Sequence, residues 1–324
     1  MSVLSRREIL LRIVEGELII TNDDNIREFW EQEVSEEQLK KIKEYNQKFS
    51  EIKEKIENLK CYSDFEENFK RNNKYKQYFN EYYGFIEKGN LNKIREKIIH
   101  NEIEKYSKQT IKEKIDKRLP IFIDNIEFDN IKPANIDLKL GQEVFTTSQE
   151  YPIKLGTHNH GNTIKIEPGA FGVFLTQESI YIPDDLLGLI SLRVTYKMKG
   201  LVNVSGFHVD PGYHGKILFA VYNTGPRDIY LKLGEPIFMI TFDKLDEPTL
   251  VGYEAEKIGR KHFKDIPAYV VTDLKGAPVS IKNLDERVKI LETQRNIYGT
   301  ILAALLVAVI VLILRVFISG GGQQ

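Results

Sequence analysis

The chain has 324 residues, with 46 Lys+Arg against 47 Asp+Glu and 42% hydrophobic residues. That length accommodates two domains, or one core with a large insertion, and the balanced charge excludes a nucleic-acid binder that works through a strong basic field. A single cysteine, Cys61, excludes a disulfide framework and any cysteine-based zinc site, and suits a reducing compartment.

The averages hide a division into three chemistries. All 11 prolines lie at Pro120 or later, and 15 of the 22 glycines lie between residues 120 and 279. Residues 24–118 hold no proline, two glycines, 22 Lys+Arg and 20 Asp+Glu. The stretch Asn296 to Leu314 carries no charge.

Arg6, Arg7, Glu8 and Arg12 interrupt any apolar run at the N-terminus, which therefore does not read as a signal peptide. Ser5-Arg-Arg-Glu8 followed by Ile9, Leu10, Ile13 and Val14 predicts a short amphipathic helix that ends at Gly16. Glu17-Leu-Ile-Ile20 then predicts a short strand. Residues 24–118 read as helices. Ser35-Glu-Glu-Gln38 and Ser63-Asp-Phe-Glu66 have capping-box spacing. After the first, Ile42, Tyr45, Phe49, Ile52, Ile56 and Leu59 recur at alternating steps of three and four, a heptad stripe. A third helix is predicted from Leu91 through Ile94, Ile98 and Ile103 to Ile115. The aromatics Phe65, Phe69, Tyr75, Tyr78, Phe79, Tyr82, Tyr83 and Phe85 lie between them. They suit the core of a helical module, or a face for a protein partner of helices 24–118.

From Pro120 to about Ala277 the period changes to two. Strands are predicted at Ile164–Ile166, Ala170–Leu175, Ile180–Ile182, Lys216–Tyr222, Ile229–Leu231 and Ile237–Phe242, with turns between them, including one at Thr176–Ser179. Short strands at this spacing indicate an all-β barrel or sandwich. Residues 281–298 turn helical again, with Ile281, Leu284, Val288, Leu291 and Tyr298 at a/d positions. The uncharged stretch that follows is long enough to span a bilayer core of ~30 Å. Arg287, Lys289 and Arg295 before it outweigh Arg315 beyond it. The positive-inside bias then predicts a single-pass, tail-anchored protein whose N-terminal domains are cytoplasmic, with a lipid membrane as a partner.

The segment Gly206-Phe-His-Val-Asp-Pro-Gly-Tyr-His-Gly215 is followed by Lys-Ile-Leu-Phe-Ala-Val-Tyr-Asn-Thr-Gly225 and by Ile229-Tyr-Leu-Lys-Leu-Gly-Glu-Pro-Ile-Phe-Met-Ile-Thr-Phe242. This run resembles the dCTP deaminase and dUTPase superfamily, whose members carry G-x-I-D-P-G-Y/W-x-G, a strand ending in N-x-G, and G-x-x-I-x-Q-L-x-F. Upstream, Pro133-Ala-Asn-Ile-Asp-Leu-Lys-Leu-Gly141, Ile166–Ser179 and Ile182-Pro-Asp-Asp-Leu-Leu-Gly188 resemble three further motifs in the right order. Leu4-Ser-Arg-Arg-Glu-Ile and Glu15–Ile20 look like a deaminase N-terminus. The resemblance covers about residues 2–20 and 126–250.

The resemblance implies a mainly β chain: a dUTPase-like jelly-roll or β-barrel core with an inserted α-helical module and a C-terminal transmembrane helix. The expected division is core helix and strand 1–23, inserted module 24–118, β domain 119–280, coiled-coil-like linker 281–296, transmembrane helix 297–318 and tail 319–324. It also implies a homotrimer with a nucleotide or deoxynucleotide ligand in clefts between subunits, and no nucleic-acid partner. Family deaminases use a glutamate to activate water without a metal, whereas dUTPases use a turn aspartate with Mg²⁺ on the phosphates.

Carried over residue by residue, the deaminase glutamate falls on Ala220, which has no proton-transfer group. The family's R-S-S/G-L-A-R segment falls on Arg193-Val-Thr-Tyr-Lys-Met198 and keeps Arg193 and the Thr195 hydroxyl, while Met198 replaces the second arginine. Asp210 is the one catalytic candidate, for positioning water or contacting sugar; Asp-Pro-Gly is equally good turn chemistry. Gly206, Tyr213 and Asn223 join Arg193, Thr195 and Asp210 as nucleotide-binding positions by the same resemblance. Met239 stands where the family often has glutamine. No dUTPase-type glycine-rich arm precedes the apolar stretch. His208, Asp210 and His214, with His158 and His160, read as solvated loop residues rather than metal ligands; Mg²⁺ would come only with a triphosphate.

Three functions fit. One is a catalytically degenerate, nucleotide-sensing membrane effector, of the sort used in microbial antiviral defence. Another is an active dCTP deaminase or dUTP diphosphatase tethered to a membrane. The third is a trimeric scaffold that displays the helical module.

Overall fold

The structure, a computed structural model, describes residues 2–60, 73–85, 93–99, 118–249, 263–274 and 281–320, with 64, 67 and 91. The cap predicted at Ser63, Cys61, Phe65, Phe69 and the Ile103–Ile115 part of the third predicted helix lie outside the described residues. The chain divides into two compact units, Met1–Gly276 and Ala277–Gln324.

Strand β1 (Ser2–Val3) leads into helix α1 (Arg6–Asn22). Ser5 caps the helix, its hydroxyl accepting from the Glu8 N–H at 3.3 Å. The helix does not end at Gly16, and the strand expected at Glu17–Ile20 is its last turns. Gly16 serves contact rather than termination. A Cβ there would stand 2.9 Å from the Ile121 carbonyl oxygen and 3.2 Å from the Phe122 ring. Ile9, Leu10, Ile13, Val14 and Ile20 are all buried, so α1 runs through the interior.

Two charges on α1 are buried with it. Arg12 donates from Nη1 and Nη2 to the two Asp185 oxygens at 2.9 and 2.8 Å, and from Nη1 to the Leu119 carbonyl at 2.8 Å. Glu17 accepts from the Tyr83 hydroxyl at 2.8 Å and from Arg95 Nη2 at 2.5 Å. Charges this deep are tolerated only when paired and hydrogen-bonded.

Helix α2 (Asp24–Glu33) carries Trp30, whose Nε1 donates to the Ile20 carbonyl at 3.1 Å. Helix α3 (Glu36–Glu57) opens with the predicted capping box of Ser35 and Gln38. Its heptad positions Ile42, Tyr45, Phe49, Ile52 and Ile56 are buried, as predicted. Helix α4 (Asn73–Phe85) supplies Phe79 and Tyr82, which meet Phe49 edge-on with centroids 5.8 and 5.1 Å away. Tyr75, Phe79, Tyr82 and Tyr83 are interior, so these four rings build a core. Residues 93–99 are helical and bury Ile94, Ile98 and Ile99 against it.

The β part comprises β2 (Phe122–Ile123), β3 (Ile136–Thr146), β4 (Ile153–Lys154), β5 (Thr163–Ile166), β6 (Phe171–Tyr181) and β7 (Leu186–Leu192). A short helix α5 (Val194–Lys197) precedes β8 (Leu201–Asn203), β9 (His208–Val209), β10 (His214–Asn223), β11 (Ile229–Lys232) and β12 (Pro236–Lys244). Helix α6 (Ala268–Leu274) follows. The sheet runs β8-β10-β6-β3-β12-β7-β9, with β1 on β12, β2 on β6 and β4 on β3, while β5 and β11 pair separately. Strand β3 changes partner along its length. Ile136–Lys139 face β12, and Leu140–Thr146 face β6. Phe219 of β10 and Phe238 of β12 stack at 4.0 Å although β6 and β3 lie between their strands. Rings so far apart in the ladder meet only because the antiparallel sheet curls over on itself. The core is thus the mainly β one expected.

The turn predicted at Thr176–Ser179 is absent, and β6 runs through it. The register against β10 slips between Lys216 and Leu218, and the polar side chains turn inward at this irregularity. Thr176 Oγ1 accepts from the Ile217 N–H at 3.0 Å and donates to the Glu178 carbonyl at 2.8 Å. Glu178 Oε2 accepts from the Lys139 N–H at 2.9 Å. Burial pushes the Glu178 carboxyl up to about 8.

The second unit is helix α7 (Ile281–Gly320). Its stretch Leu284–Val316 is long and apolar enough to cross a membrane.

Two outcomes test this packing. Asp185→Ala removes both bonds from Arg12 to Asp185, leaves Glu8, 3.2 Å from Nε, as its carboxylate partner, and is expected to cost about 3 kcal/mol of stability. Urea unfolding followed by fluorescence of Trp30, the chain's one tryptophan, reads it. Glu178 binds its proton more tightly folded than unfolded, so its contribution is full below the ordinary carboxylate range and lost as pH rises through about 8. Wild-type stability therefore falls from about pH 5 to about pH 8 relative to Glu178→Gln, whose profile flattens.

Candidate functional site

The turn that carries Asp210 is built by its own sequence. Pro211 fixes φ after Asp210, Gly212 takes φ +79°, and the Tyr213 N–H closes on the Asp210 carbonyl at 3.2 Å. This is a type II turn, and Gly212 is required by its positive φ. The Gly212 N–H donates to Ile182 O at 2.7 Å and the Ile182 N–H donates to Tyr213 O at 2.9 Å, which fix the turn to the end of β6. Tyr213 is buried, and its hydroxyl donates to the Lys216 carbonyl. The Asp210 carboxylate is left half-exposed, with Oδ1 3.4 Å from His208 Nε2. The backbone makes the turn, and the side chain stays accessible. Gly206 is exposed, and its carbonyl accepts from Asn203 Nδ2 at 3.3 Å.

Arg193 lies at the other end of β7. Its N–H donates to the Ile237 carbonyl at 2.9 Å, and its Nη1 donates to the Pro236 carbonyl at 3.2 Å. Its Nε stands 3.5 Å from the buried Asp137 carboxylate. Asp137 belongs to the Pro133–Gly141 motif and orients the guanidinium. The motif alone does not single out its aspartate, whose partner lies 56 positions on. Val194 and Thr195 on α5 and Met198 at its C-cap are exposed. The ladder pairs Leu189 with His208 and Gly188 with Val209. Arg193 is thus six residues beyond the point opposite Asp210, about 20 Å at strand rise. One chain does not bring the two together.

Asn223 is fully buried. Its Nδ2 donates to the Ile166 and Arg227 carbonyls at 2.9 Å, and its Oδ1 accepts from the Gly225 N–H at 2.9 Å. It ties β10 to the following turn.

Ala220 is placed most tellingly. Alternation along β10 sends Ile217, Phe219 and Val221 to the main core, and Leu218 and Ala220 to the outer face. That face is a second apolar cluster of Phe145, Val173, Leu175, Ile266 and Val271, with Phe263, Val270 and Leu274 packed against it. Residues 263–274, α6 included, therefore cover the sheet where Ala220 lies. The Ile266 N–H donates to Glu143 Oε1 at 3.0 Å. Burial, then a hydrogen bond with Asp265, raises the Glu143 carboxyl above its ordinary range. This cover was not legible as such, because its apolar residues are sparse and follow a charged stretch.

The sequence model of the dCTP deaminase-like family matches residues 106–245. The dCTP deaminase of Thermococcus kodakarensis is 30% identical over 146 residues, which are 45% of this chain and 90% of that protein. The dUMP-forming dCTP deaminase of Methanobrevibacter smithii is 28% identical over 177 residues, 49% of this chain and 90% of its own. Among solved structures, the 2′-deoxycytidine 5′-triphosphate deaminase of Agrobacterium tumefaciens overlaps 37% of this chain and 43% of its own at 15% identity and a TM-score of 0.31. The dUTPase of Staphylococcus bacteriophage 80alpha with dUPNHPP overlaps 46% of this chain and 92% of its own at 16% identity and a TM-score of 0.28. Overlaps of that size add no argument. The sequence relation over 90% of the Thermococcus enzyme does, and the residues that the family model matches include the Asp210 turn and Ala220: the chain belongs to the dCTP deaminase-like family.

Proposed function

We propose that this chain is a nucleotide-binding, membrane-anchored member of its family that does not deaminate. The observation that carries this reading is the setting of Ala220. Deamination needs a group that takes and returns a proton beside the base. Ala220 has none, and its neighbours are hydrocarbon under the cover of residues 263–274.

Nucleotide binding rests on what the chain keeps. Arg193 offers a guanidinium to phosphate, Thr195 a hydroxyl, and the turn at Gly206–Tyr213 the Asp210 carboxylate, while Asn223 holds the next turn in shape. The ~20 Å between Arg193 and Asp210 along the ladder favours a ligand bound between copies, with Arg193 and Thr195 from one chain and Asp210 from another. A homotrimer supplies that arrangement. Helix α7 then anchors the assembly, residues 281–296 as a water-side linker and 297–318 as the span, with the larger unit on the cytoplasmic side. Ligand binding at the interfaces shifts how the copies pack, and the linker passes that shift to the spans. This makes a nucleotide-sensing membrane effector.

A second reading draws on Asp210 alone. Its half-exposed carboxylate beside His208 suits positioning of water against a phosphate, with Mg²⁺ as part of the triphosphate ligand. This reading makes the chain a tethered diphosphatase.

Purified full-length chain in detergent, incubated with dCTP or dUTP and Mg²⁺, separates the readings. Retention of nucleotide without turnover is expected. Release of a uracil nucleotide from dCTP would sink the non-deaminating reading; pyrophosphate release abolished by Asp210→Asn would favour the second. Restoring the glutamate is expected to fail. Ala220→Glu places a carboxylate in the apolar cluster, costs several kcal/mol, and yields no deamination of dCTP in an ammonia-release assay. Turnover by that variant would mean the cover is not an obstacle.

A further inference from the structure

A cavity of about 430 Å³ opens inside the first unit, lined by neither Asp210 nor Ala220. It lies where the helical residues 93–99 meet the start of β10 and residues 263–264. Four cationic side chains line it, Lys93, Arg95, Lys216 and Lys264, against two carboxylates, Glu96 and Asp124. Both carboxylates are engaged. Asp124 accepts from the Ser179 N–H at 2.5 Å, and Glu96 stands 3.6 Å from Lys264 Nζ.

Arg95 is the informative residue. It is 3% exposed, and Glu17 and Tyr83 take only its Nη2. Its Nε and Nη1 are buried and find no acceptor among the described residues. Three of five guanidinium donors are therefore out of water and unanswered, which is costly for a cation. The wall beside them is apolar, from Phe122, Phe263 and Ile99. The volume is that of a small-molecule site.

The geometry points to a second ligand site in this cavity, one that takes a small phosphorylated molecule with its phosphate on Arg95, Lys93 and Lys216 and its apolar part against Phe122. A phosphate suits the lining better than a carboxylate, because its greater charge and three oxygens answer Lys93, Lys216 and Arg95 together. The site belongs to a single chain and does not rest on the intersubunit reading. It joins the helical module to the segment that covers Ala220, since Lys264 lies two residues before Ile266.

Inorganic pyrophosphate titrated into full-length protein in detergent by calorimetry tests it. One pyrophosphate per chain is expected. Affinity should fall about tenfold in the double variant Lys93→Ala/Lys216→Ala, which leaves the buried Arg95–Glu17 pair intact, and should hold in Arg193→Ala. Unchanged Trp30 fluorescence certifies folding of each variant. No binding at millimolar pyrophosphate overturns the proposal. So does a loss that follows Arg193→Ala as much as the lysine pair, which would place the phosphate at the intersubunit site instead.

Discussion

Helix α1 holds the larger unit together through two buried ion pairs on one rod. Arg12 reaches Asp185 in the β part, and Glu17, five residues later, reaches Arg95 and Tyr83 in the helical part. Neither pair is a cheap source of stability, because desolvation offsets much of the attraction. Their value is positional. A buried charge accepts only its own partner, so each pair fixes which face of α1 meets which module. The helical module is therefore keyed to the β core rather than tethered to it.

That keying bears on the candidate site. Asp185 belongs to the Pro-Asp-Asp motif between β6 and β7, next to Ile182, which clasps the Asp210 turn through Gly212 and Tyr213. Arg95 lines the cavity with Lys216, two strand positions before Leu218 of the outer apolar cluster. Strand β10 alternates, so one face serves the core and the other meets the 263–274 cover. At Ala220 that alternation sets a methyl group against the outer apolar cluster. In the proposed reading, a glutamate there would need water and a base-sized opening, whereas alanine is satisfied by hydrocarbon.

Much of this was legible in the sequence, for physical reasons that also explain the misses. The heptad at Ile42–Ile56 was readable because periodicity alone sets which residues a helix buries. The antiparallel β core followed from ordered motifs whose turns need particular residues, Gly212 above all. Gly16 misled because glycine stops helices by default; here it yields space to Ile121 and Phe122, neighbours more than 100 positions on. Thr176–Ser179 misled because polar runs usually mark turns, whereas this one feeds buried hydrogen bonds at a strand irregularity. Asp137 and Arg95 escaped because each acts through a partner distant in sequence. The Ala220 substitution was plain from alignment with the motif; that it lies under an apolar cover was not, since coverage is a tertiary fact.

Helix α7 follows the same logic of burial. At 1.5 Å per residue its 40 residues extend about 60 Å, roughly twice a bilayer core. Its charges sort the excess: Lys282, Asp285, Glu286, Arg287, Lys289, Glu292 and Arg295 all precede Asn296, and none follows until Arg315. Charge is expensive in lipid and continuous hydrocarbon is expensive in water, so the helix divides near Asn296. On the charged half, Leu284, Val288 and Leu291 are exposed in the single chain at heptad spacing. Each apolar side chain of that size is worth about 1.5–3 kcal/mol when buried. In the proposed anchor, charged neighbours would keep that half out of the bilayer, so burial of the stripe would call for protein, and further copies of the same helix present the same stripe. The proposed trimer and the proposed anchor thus lean on one segment.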